Sequence, residues 1–311
     1  MASYVPRKRF AQRLWMDLKR NRALYLLILP VVVYYIIFAY VPMYGVQLAF
    51  KNFIAKEGIL GSPWVGFDNF SRFFSSYNFM SLLKNTLGIS IYSLAVGFPL
   101  PIVFALLLNY VRSTKLKKTV QMVSYAPYFI STVVMCGMII IFLQPSTGIM
   151  NQIREMLGLE SVAYLSVPEY FKSIYVWTGV WQGLGWSTII YISALSGVDY
   201  EMHEAAIMDG ATKIRRMWSI DLPSILPTAV MLLILNFGGI MNVGFEKVFL
   251  LQNSLNQRTS DVISTYVYRV GMINNDYGYS TAVGLFNSVI NVILLVSVNQ
   301  IAKKITKVGL W

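Results

Sequence analysis

Six long stretches without a charged residue constrain this chain more than any other feature of its sequence. Each stretch is longer than the roughly 20 residues that a helix needs to cross a bilayer. Charged residues make up only 13 % of the 311-residue chain, about half the usual share of a soluble domain. Lipid is therefore the expected solvent. The stretches lie between Arg22 and Lys51, Lys84 and Arg112, Lys118 and Arg154, Lys172 and Asp199, Asp221 and Glu246, and Asp276 and Lys303.

The elements that cross the membrane are predicted to be helices. Only helices and closed barrels satisfy their backbone polar groups in hydrocarbon, and runs such as "ALYLLILPVVVYYIIFAY" lack the alternation of a barrel strand. Prolines inside the runs, among them Pro30, Pro99, Pro101 and Pro127, are tolerated where neighbouring helices bond the freed carbonyls. The expected fold is an all-α integral membrane protein with one domain over 24–302. Its six transmembrane helices are predicted near 24–46, 85–108, 119–143, 173–194, 224–244 and 279–302.

The basic residues set the predicted orientation. The segments before the first span, between spans two and three, between spans four and five, and after the last span hold 17 of the 26 Lys and Arg residues. By the positive-inside rule these segments and both termini are cytoplasmic. The net charge of +12 is thereby explained by topology and anionic lipid, so nucleic acid is not an expected partner.

The two ends of the chain carry separate predictions. In residues 1–23, "PRKRFAQRLWMDLKRNR" spaces Phe10, Leu14 and Leu18 as on one helix face, which is typical of a basic helix in the membrane interface; a disordered basic leader is the alternative. The first apolar run is too long for a cleaved signal peptide and lacks a small-residue cleavage pattern. Residues 303–311 form a cytoplasmic tail.

The sequence offers little catalytic chemistry. It has one histidine and one cysteine, Cys136, which excludes an internal disulfide and the familiar zinc and Cys/His sites. It contains no Gly-Lys pair and so no P-loop for ATP phosphates. No acidic or basic residue lies near the middle of a predicted span, where ion-coupled carriers place their relays. We expect no enzyme, metal or cofactor, and an external energy source if solute moves uphill.

One charged insert interrupts the apolar sequence on the predicted cytoplasmic side, "HEAAIMDGATKIRRMWSIDLPSILP". Asp199 is a good N-cap, Tyr200 to Asp209 are expected to be helical, and Gly210 permits a left-handed turn. A second helix is predicted from Thr212 to Ile220, ending ahead of Pro223. The insert is therefore expected to form two short helices joined by a glycine turn. An ordinary amphipathic loop is the alternative.

The spacing inside this insert resembles a family signature. Glu204-Ala205-Ala206, three residues, Gly210, nine residues and "IDLP" are similar to the E-A-A-x-x-x-G-x(9)-I-x-L-P motif of ABC importer permeases. "GFEKVFLLQN" and "ISTYVYRVGMINNDYGYSTAVGLF" resemble the branch that serves oligosaccharide and polysaccharide lipoprotein systems. The chain departs from the general sugar-permease pattern at "LQNSLN", where many members have Gly-Gly-Pro.

The resemblance implies a fold, partners and a site. It implies the type I importer permease fold in a bacterial plasma membrane, a second permease subunit in a heterodimer, two ATPase subunits and an external solute-binding lipoprotein. The loop over 199–223 would be the coupling helix that docks in a groove of the ATPase. Glu204 would make a polar contact or cap there, and Gly210 would set the angle between the two helices. The implied coupling residues are Glu204, Ala205, Ala206, Asp209, Gly210, Arg215, Arg216, Leu222 and Pro223.

A sugar path is predicted from aromatic and amide residues in spans four and five. Aromatic faces match the C–H faces of pyranose rings, and amides bond hydroxyls. The candidates are Trp177, Trp181, Gln182, Asn236 and Asn242. The alternative is that the tryptophans pack or sit in the headgroup belt, while the asparagines bond between helices. Two other functions stay open: a secondary carrier, and a structural or regulatory membrane subunit.

Overall fold

The computed structural model describes the backbone of residues 10–311 and the side chains from residue 15 onward. The basic leader before residue 10, and the side chains of Phe10 and Leu14, lie outside the described part. The described residues are helical apart from connections and one isolated β-bridge, Lys51 with Trp64. The helices of six or more residues are α1 Phe10–Arg20, α2 Arg22–Phe50, α3 Asp68–Phe74, α4 Phe79–Asn109, α5 Thr114–Phe129, α6 Thr132–Phe142, α7 Ile149–Met156, α8 Pro168–Leu195, α9 Tyr200–Met208, α10 Lys213–Gly238, α11 Phe245–Leu251, α12 Ile263–Tyr268 and α13 Tyr277–Thr306.

Four of the predicted spans are long apolar helices. Helices α2, α4, α10 and α13 contain 29, 31, 26 and 30 residues and are apolar enough to cross a membrane. They correspond to predicted spans one, two, five and six. Helix α8 covers the predicted fourth span with 28 residues, but its tryptophans, glycines and glutamine make it less apolar. The count of six spans and the cytoplasmic side of the termini remain predictions.

The third predicted span is not one straight helix. Helices α5 and α6 meet at an angle of 99°, so the prediction of a continuous span over 119–143 is wrong in this respect. Pro127 lies in a tighter helical turn, Ala126–Phe129, and Ser131 starts a new helix by accepting a hydrogen bond from the Val134 amide. A proline that cannot donate, followed by a good N-cap, ends one helix and begins the next.

The insert also departs from its prediction at one point. The second helix of the insert does not stop before Pro223: α10 runs from Lys213 through Pro223 into the fifth span. A wide helical turn over Met217–Asp221 precedes the proline. A wide turn changes the register of the carbonyls, and Pro223 takes one of the first positions of the regular helix beyond it, where proline is tolerated.

Helix α8 is the centre of the described bundle. It packs against α4, α5 and α10, whereas α13 packs against α10, α3 and the end of α2. One buried cluster joins α4, α8 and α10 on the side of the insert. This cluster fixes the insert end of α10 to the two helices beside it. Its members are Ala105, Leu106, Tyr191, Leu195, Ile225 and Ala229.

Candidate functional site

The insert forms the predicted pair of helices at its N-terminal end. The Asp199 carboxylate accepts the Glu201 amide at 3.0 Å and caps α9. Gly210 comes next with a φ of +76°, and the Ala211 amide donates back to the Ala206 carbonyl at 2.8 Å. Thr212 then caps α10. The left-handed turn suits glycine because it has no Cβ to clash, so the glycine turn is confirmed.

A buried carboxylate ties α9 to the membrane helices. Asp221 is fully buried, and its Oδ2 accepts a 2.6 Å hydrogen bond from the Tyr110 hydroxyl at the end of α4. His203 of α9 places Nε2 3.2 Å from Oδ1, at ion-pair distance but off the direction of a hydrogen bond. The Arg216 guanidinium lies 5.8 Å from the Tyr110 ring centre. Burial and the neighbouring carboxylate raise the pKa of Tyr110, so this hydroxyl stays protonated and donates.

The other side of the insert is a free surface within the described chain. Met208 is 87 % exposed and Ile214 69 %, so two apolar side chains project beside the glycine turn. The exposed coupling candidates are Glu204, Ala205, Asp209, Gly210, Arg215 and Pro223. Ala206, Arg216 and Leu222 are half-buried beneath them. A surface of mixed charge with projecting apolar groups, held from behind by Asp221, is suited to docking another protein.

A cavity of about 540 Å³ lies between α4, α8, α10 and the start of α11. This volume falls within the roughly 300–1,000 Å³ of small-molecule sites. Hydroxyls and amides alternate on its wall with apolar groups, and one cation is present. The polar and aromatic lining residues are Ser90, Ser93, Phe98, Tyr175, Gln182, Trp186, Ser187, Tyr191, Asn236, Asn242 and Lys247.

The cavity wall includes three of the five predicted path residues. Gln182 donates to the Ile130 carbonyl at the break between α5 and α6, at 2.9 Å. Asn236 donates to the Leu232 carbonyl at 2.8 Å. Asn242 accepts from Asn287 and Asn291 of α13 at 2.8 and 3.1 Å. Each amide keeps unused hydrogen-bonding capacity, and their role in binding solute remains a prediction.

The two predicted tryptophans lie elsewhere on α8. Trp177 and Trp181 are 52 % and 50 % exposed and stand outside the cavity wall. The Trp177 indole donates to the Tyr92 hydroxyl at 3.0 Å. Trp186 lines the cavity instead, stacked on Tyr128 with ring centres 4.4 Å apart. The tryptophan of the cavity wall thus lies on the same helix as the two predicted ones, little more than one turn beyond Trp181.

Two charged groups of the site were missed by sequence reasoning. Lys247 belongs to a segment predicted to be external, yet it is 8 % exposed and reaches the cavity. Asp221 occupies a variable position of the family signature. A carboxylate at the edge of an apolar run is the signal that could have marked it, since such a group needs partners.

A comparison with known families decides what kind of protein this is. Residues 97–307 match the family model described as binding-protein-dependent transport system inner membrane component. The chain belongs to this family. It is therefore a multi-pass protein of the cell membrane, and the match includes the insert and the cavity-lining residues from Gly97 onward.

Members of the family resemble the chain over nearly its whole length. Protein LplB of Bacillus subtilis is 44 % identical over 99 % of each chain. The polygalacturonan/rhamnogalacturonan transport system permease protein YteP of the same organism is 41 % identical over 98 % of this chain and 95 % of its own. A bacterial ABC transporter involved in import of the acidic polysaccharide alginate has a solved chain with a TM-score of 0.88 and 40 % identity, covering 94 % of this chain and 99 % of that chain. A second solved chain, from the alginate transporter in complex with its alginate pentasaccharide-bound periplasmic protein, also has a TM-score of 0.88.

Proposed function

We propose that this chain is a permease subunit of an ATP-driven importer of oligosaccharides. Its relatives include permeases and importers of polysaccharides or their fragments, and its own cavity presents hydroxyls and amides suited to sugar hydroxyls. The insert over 199–223 would take up the motion of an ATPase subunit. A second permease subunit would complete the path, two ATPase subunits would bind below, and a solute-binding lipoprotein would deliver sugar outside.

The observation that carries the proposal is the continuity of α10. The helix starts at the glycine turn of the insert, passes the buried Asp221 and reaches Asn236 on the cavity wall, two residues before its end. The buried cluster with α4 and α8 holds its near end. A displacement of the insert surface is therefore transmitted to the cavity through one packed helix.

The coupling residues are proposed from this surface. Glu204 is exposed on α9, where it would contact the ATPase groove. Gly210 would fix the angle between α9 and α10. Ala205, Asp209 and Arg215 would surround that contact, because small and charged groups there permit close approach and pairing.

The test is reconstitution of the complete complex in proteoliposomes with its binding protein. ATP hydrolysis stimulated by sugar-loaded binding protein, and uptake that stops on ATP depletion, are expected. Uptake that survives depletion would identify a secondary carrier. ATPase partners whose activity ignores solute would identify a structural subunit.

Glu204→Lys is expected to lower stimulated ATP hydrolysis and uptake about tenfold or more, because a reversed charge at a docking contact is repelled. The matched control is Glu155→Lys in α7, an exposed glutamate on the predicted external side, which should leave both rates unchanged. Normal uptake by Glu204→Lys would refute the coupling assignment.

A further inference from the structure

The cavity contains a buried ammonium group. Lys247 lies in the first turn of α11, just beyond the end of α10, and only 8 % of its surface is exposed. Its Nζ donates to the Tyr175 carbonyl at 2.9 Å and lies 4.8 Å from the centre of the Tyr175 ring. Burial lowers the pKa of Lys247 to about 8. The Tyr175 carbonyl and ring face, both of which attract an ammonium group, hold the end of the side chain in place.

Two glycines leave room for this arrangement. A Cβ at Gly179 of α8 would lie 3.3 Å from the Lys247 Nζ, and one at Gly244 would lie 3.0 Å from the Tyr175 hydroxyl. The Tyr175 hydroxyl in turn accepts the Gly244 amide at 3.1 Å. Helix α8 and the α10–α11 connection therefore close around the ammonium without a side chain between them.

No carboxylate in the described part of the chain pairs with this cation. The ion pairs found there use other groups, namely Arg72 with Asp276, Arg258 with Glu169, Arg269 with Asp261 and His203 with Asp221. The cavity lining contains Lys247 and no Asp or Glu. A buried charge is costly unless it is paired. The Tyr175 carbonyl and ring face engage at most two of the three N–H donors of the ammonium, which leaves at least one for an anion.

We propose that the cavity admits acidic oligosaccharides and that Lys247 selects them by pairing with a sugar carboxylate. This inference deepens the proposed function and rests on it. The carboxylate of a uronic acid residue accepts from an ammonium in a charge-assisted hydrogen bond, which is about twice as strong as a neutral one. Gln182, Asn236 and Asn242 on the same wall would meet the ring hydroxyls. Lys247 then supplies the preference for the anionic sugar.

The test compares two sugars in the reconstituted complex. One is an oligogalacturonate of defined length, and the other is its carboxyl-reduced neutral counterpart with the same linkages. Each is supplied on the saturated binding protein. The uptake ratio of variant to wild type is taken for each sugar separately, so that the binding protein's own preference cancels.

Lys247→Gln removes the charge but keeps an N–H donor for the Tyr175 carbonyl. It is expected to lower uptake of the oligogalacturonate about tenfold, the upper part of the range for one charged hydrogen bond. Uptake of the neutral sugar is expected to change less than twofold, and Lys247→Arg should retain the acidic sugar. Lys56→Gln, at an exposed external lysine, is the control and should change neither. An equal loss for both sugars would overturn the proposal and would show that Lys247 only stabilises the packing of α11 on α8.

A second pair of variants keeps the inference testable if Lys247→Gln does not assemble. Gly179→Ala leaves the charge in place but pushes the ammonium aside by a few tenths of an ångström. The matched control is Gly137→Ala in α6, which lies outside the cavity lining and adds a methyl group where no atom lies within 4 Å. Selective loss of acidic-sugar uptake in Gly179→Ala alone supports the proposal, and identical behaviour of the two variants overturns it. Failure of the proposed function would look different, because the wild type would then take up neither sugar in an ATP-dependent way.

Discussion

The bond between Tyr110 and Asp221 should control how firmly the insert is fixed to the membrane helices. Tyr110→Phe removes a 2.6 Å hydrogen bond to a carboxylate that is fully buried. Hydrogen bonds to charged groups contribute about 1.5–3 kcal/mol, and this loss falls on a group that water does not reach. The variant should therefore unfold more easily by that amount in a detergent titration of the purified permease.

A local measurement separates anchoring from general stability. If the bond holds α9 through Asp221 and His203, amide hydrogen exchange over Tyr200–Met208 should rise about 10- to 100-fold in Tyr110→Phe. Combining Tyr110→Phe with Asp221→Asn should cost less than the sum of the single variants, because both remove the same contact. Tyr200→Phe, at a tyrosine of α9 that is 69 % exposed, is the control. Equal exchange in Tyr110→Phe and Tyr200→Phe would refute the anchoring role.

Two glycine substitutions test other parts of the fold. Gly210→Ala places a Cβ at a φ of +76°. It should lower the free energy of unfolding by about 1–2 kcal/mol and reduce ATPase stimulation. The control is Gly137→Ala in α6, with no atom within 4 Å of its Cβ, which should be neutral or stabilising in the same unfolding assay. Gly185→Ala would bring a Cβ to 2.2 Å from the Ser124 carbonyl oxygen, forcing α8 away from α5 at a cost of about 1–3 kcal/mol or more, whereas Gly183→Ala should keep the wild-type midpoint. A stable Gly185→Ala protein would contradict the close packing of α5 on α8.

The long apolar helices could be predicted because hydrocarbon imposes a simple rule. Charges are excluded over the membrane thickness, so the gaps between charged residues mark α2, α4, α10 and α13 directly. The helix pair of the insert could likewise be predicted from Asp199 and Gly210, since capping and a left-handed turn depend on local chemistry. These features need no knowledge of what packs against them.

The bend between α5 and α6 and the continuation of α10 through Pro223 depend on competing local signals. Pro127 and Pro223 look equally disruptive in sequence, yet a helix ends at Pro127 whereas α10 continues through Pro223. The difference lies in the neighbours, because Ser131 offers a new N-cap whereas the wide turn ending at Asp221 sets a register that accommodates Pro223. Which outcome applies is decided by tertiary packing.

Contacts between charged groups and partners distant in sequence could not be predicted from the sequence. The contacts of Asp221 with Tyr110 and His203 join three separate segments, and Lys247 meets Tyr175 from a segment 72 residues further along the chain. A burial pattern cannot be inferred from the type of residue when lysine and aspartate are usually exposed. The prediction of the wrong tryptophans has a similar cause. The rotation of α8 decides that Trp186 faces the cavity, whereas Trp177 and Trp181 do not.

The placement of the two buried charges suggests why α10 is suited to carry motion. Asp221 fixes one end of the helix to α4 and α9, and Asn236 reaches the cavity about 22 Å further on at 1.5 Å per residue. Because Ile225 and Ala229 are packed against α8 and α4 along this length, a shift of the insert cannot be absorbed by slack in the core and must move the helices together. Lys247 follows α10 after the connection over 239–244, so under the proposed coupling the same shift would change the position of the ammonium relative to Gln182. Under the proposed function, a sugar carboxylate paired with Lys247 would be displaced together with the insert, which would couple the affinity for solute to ATPase docking.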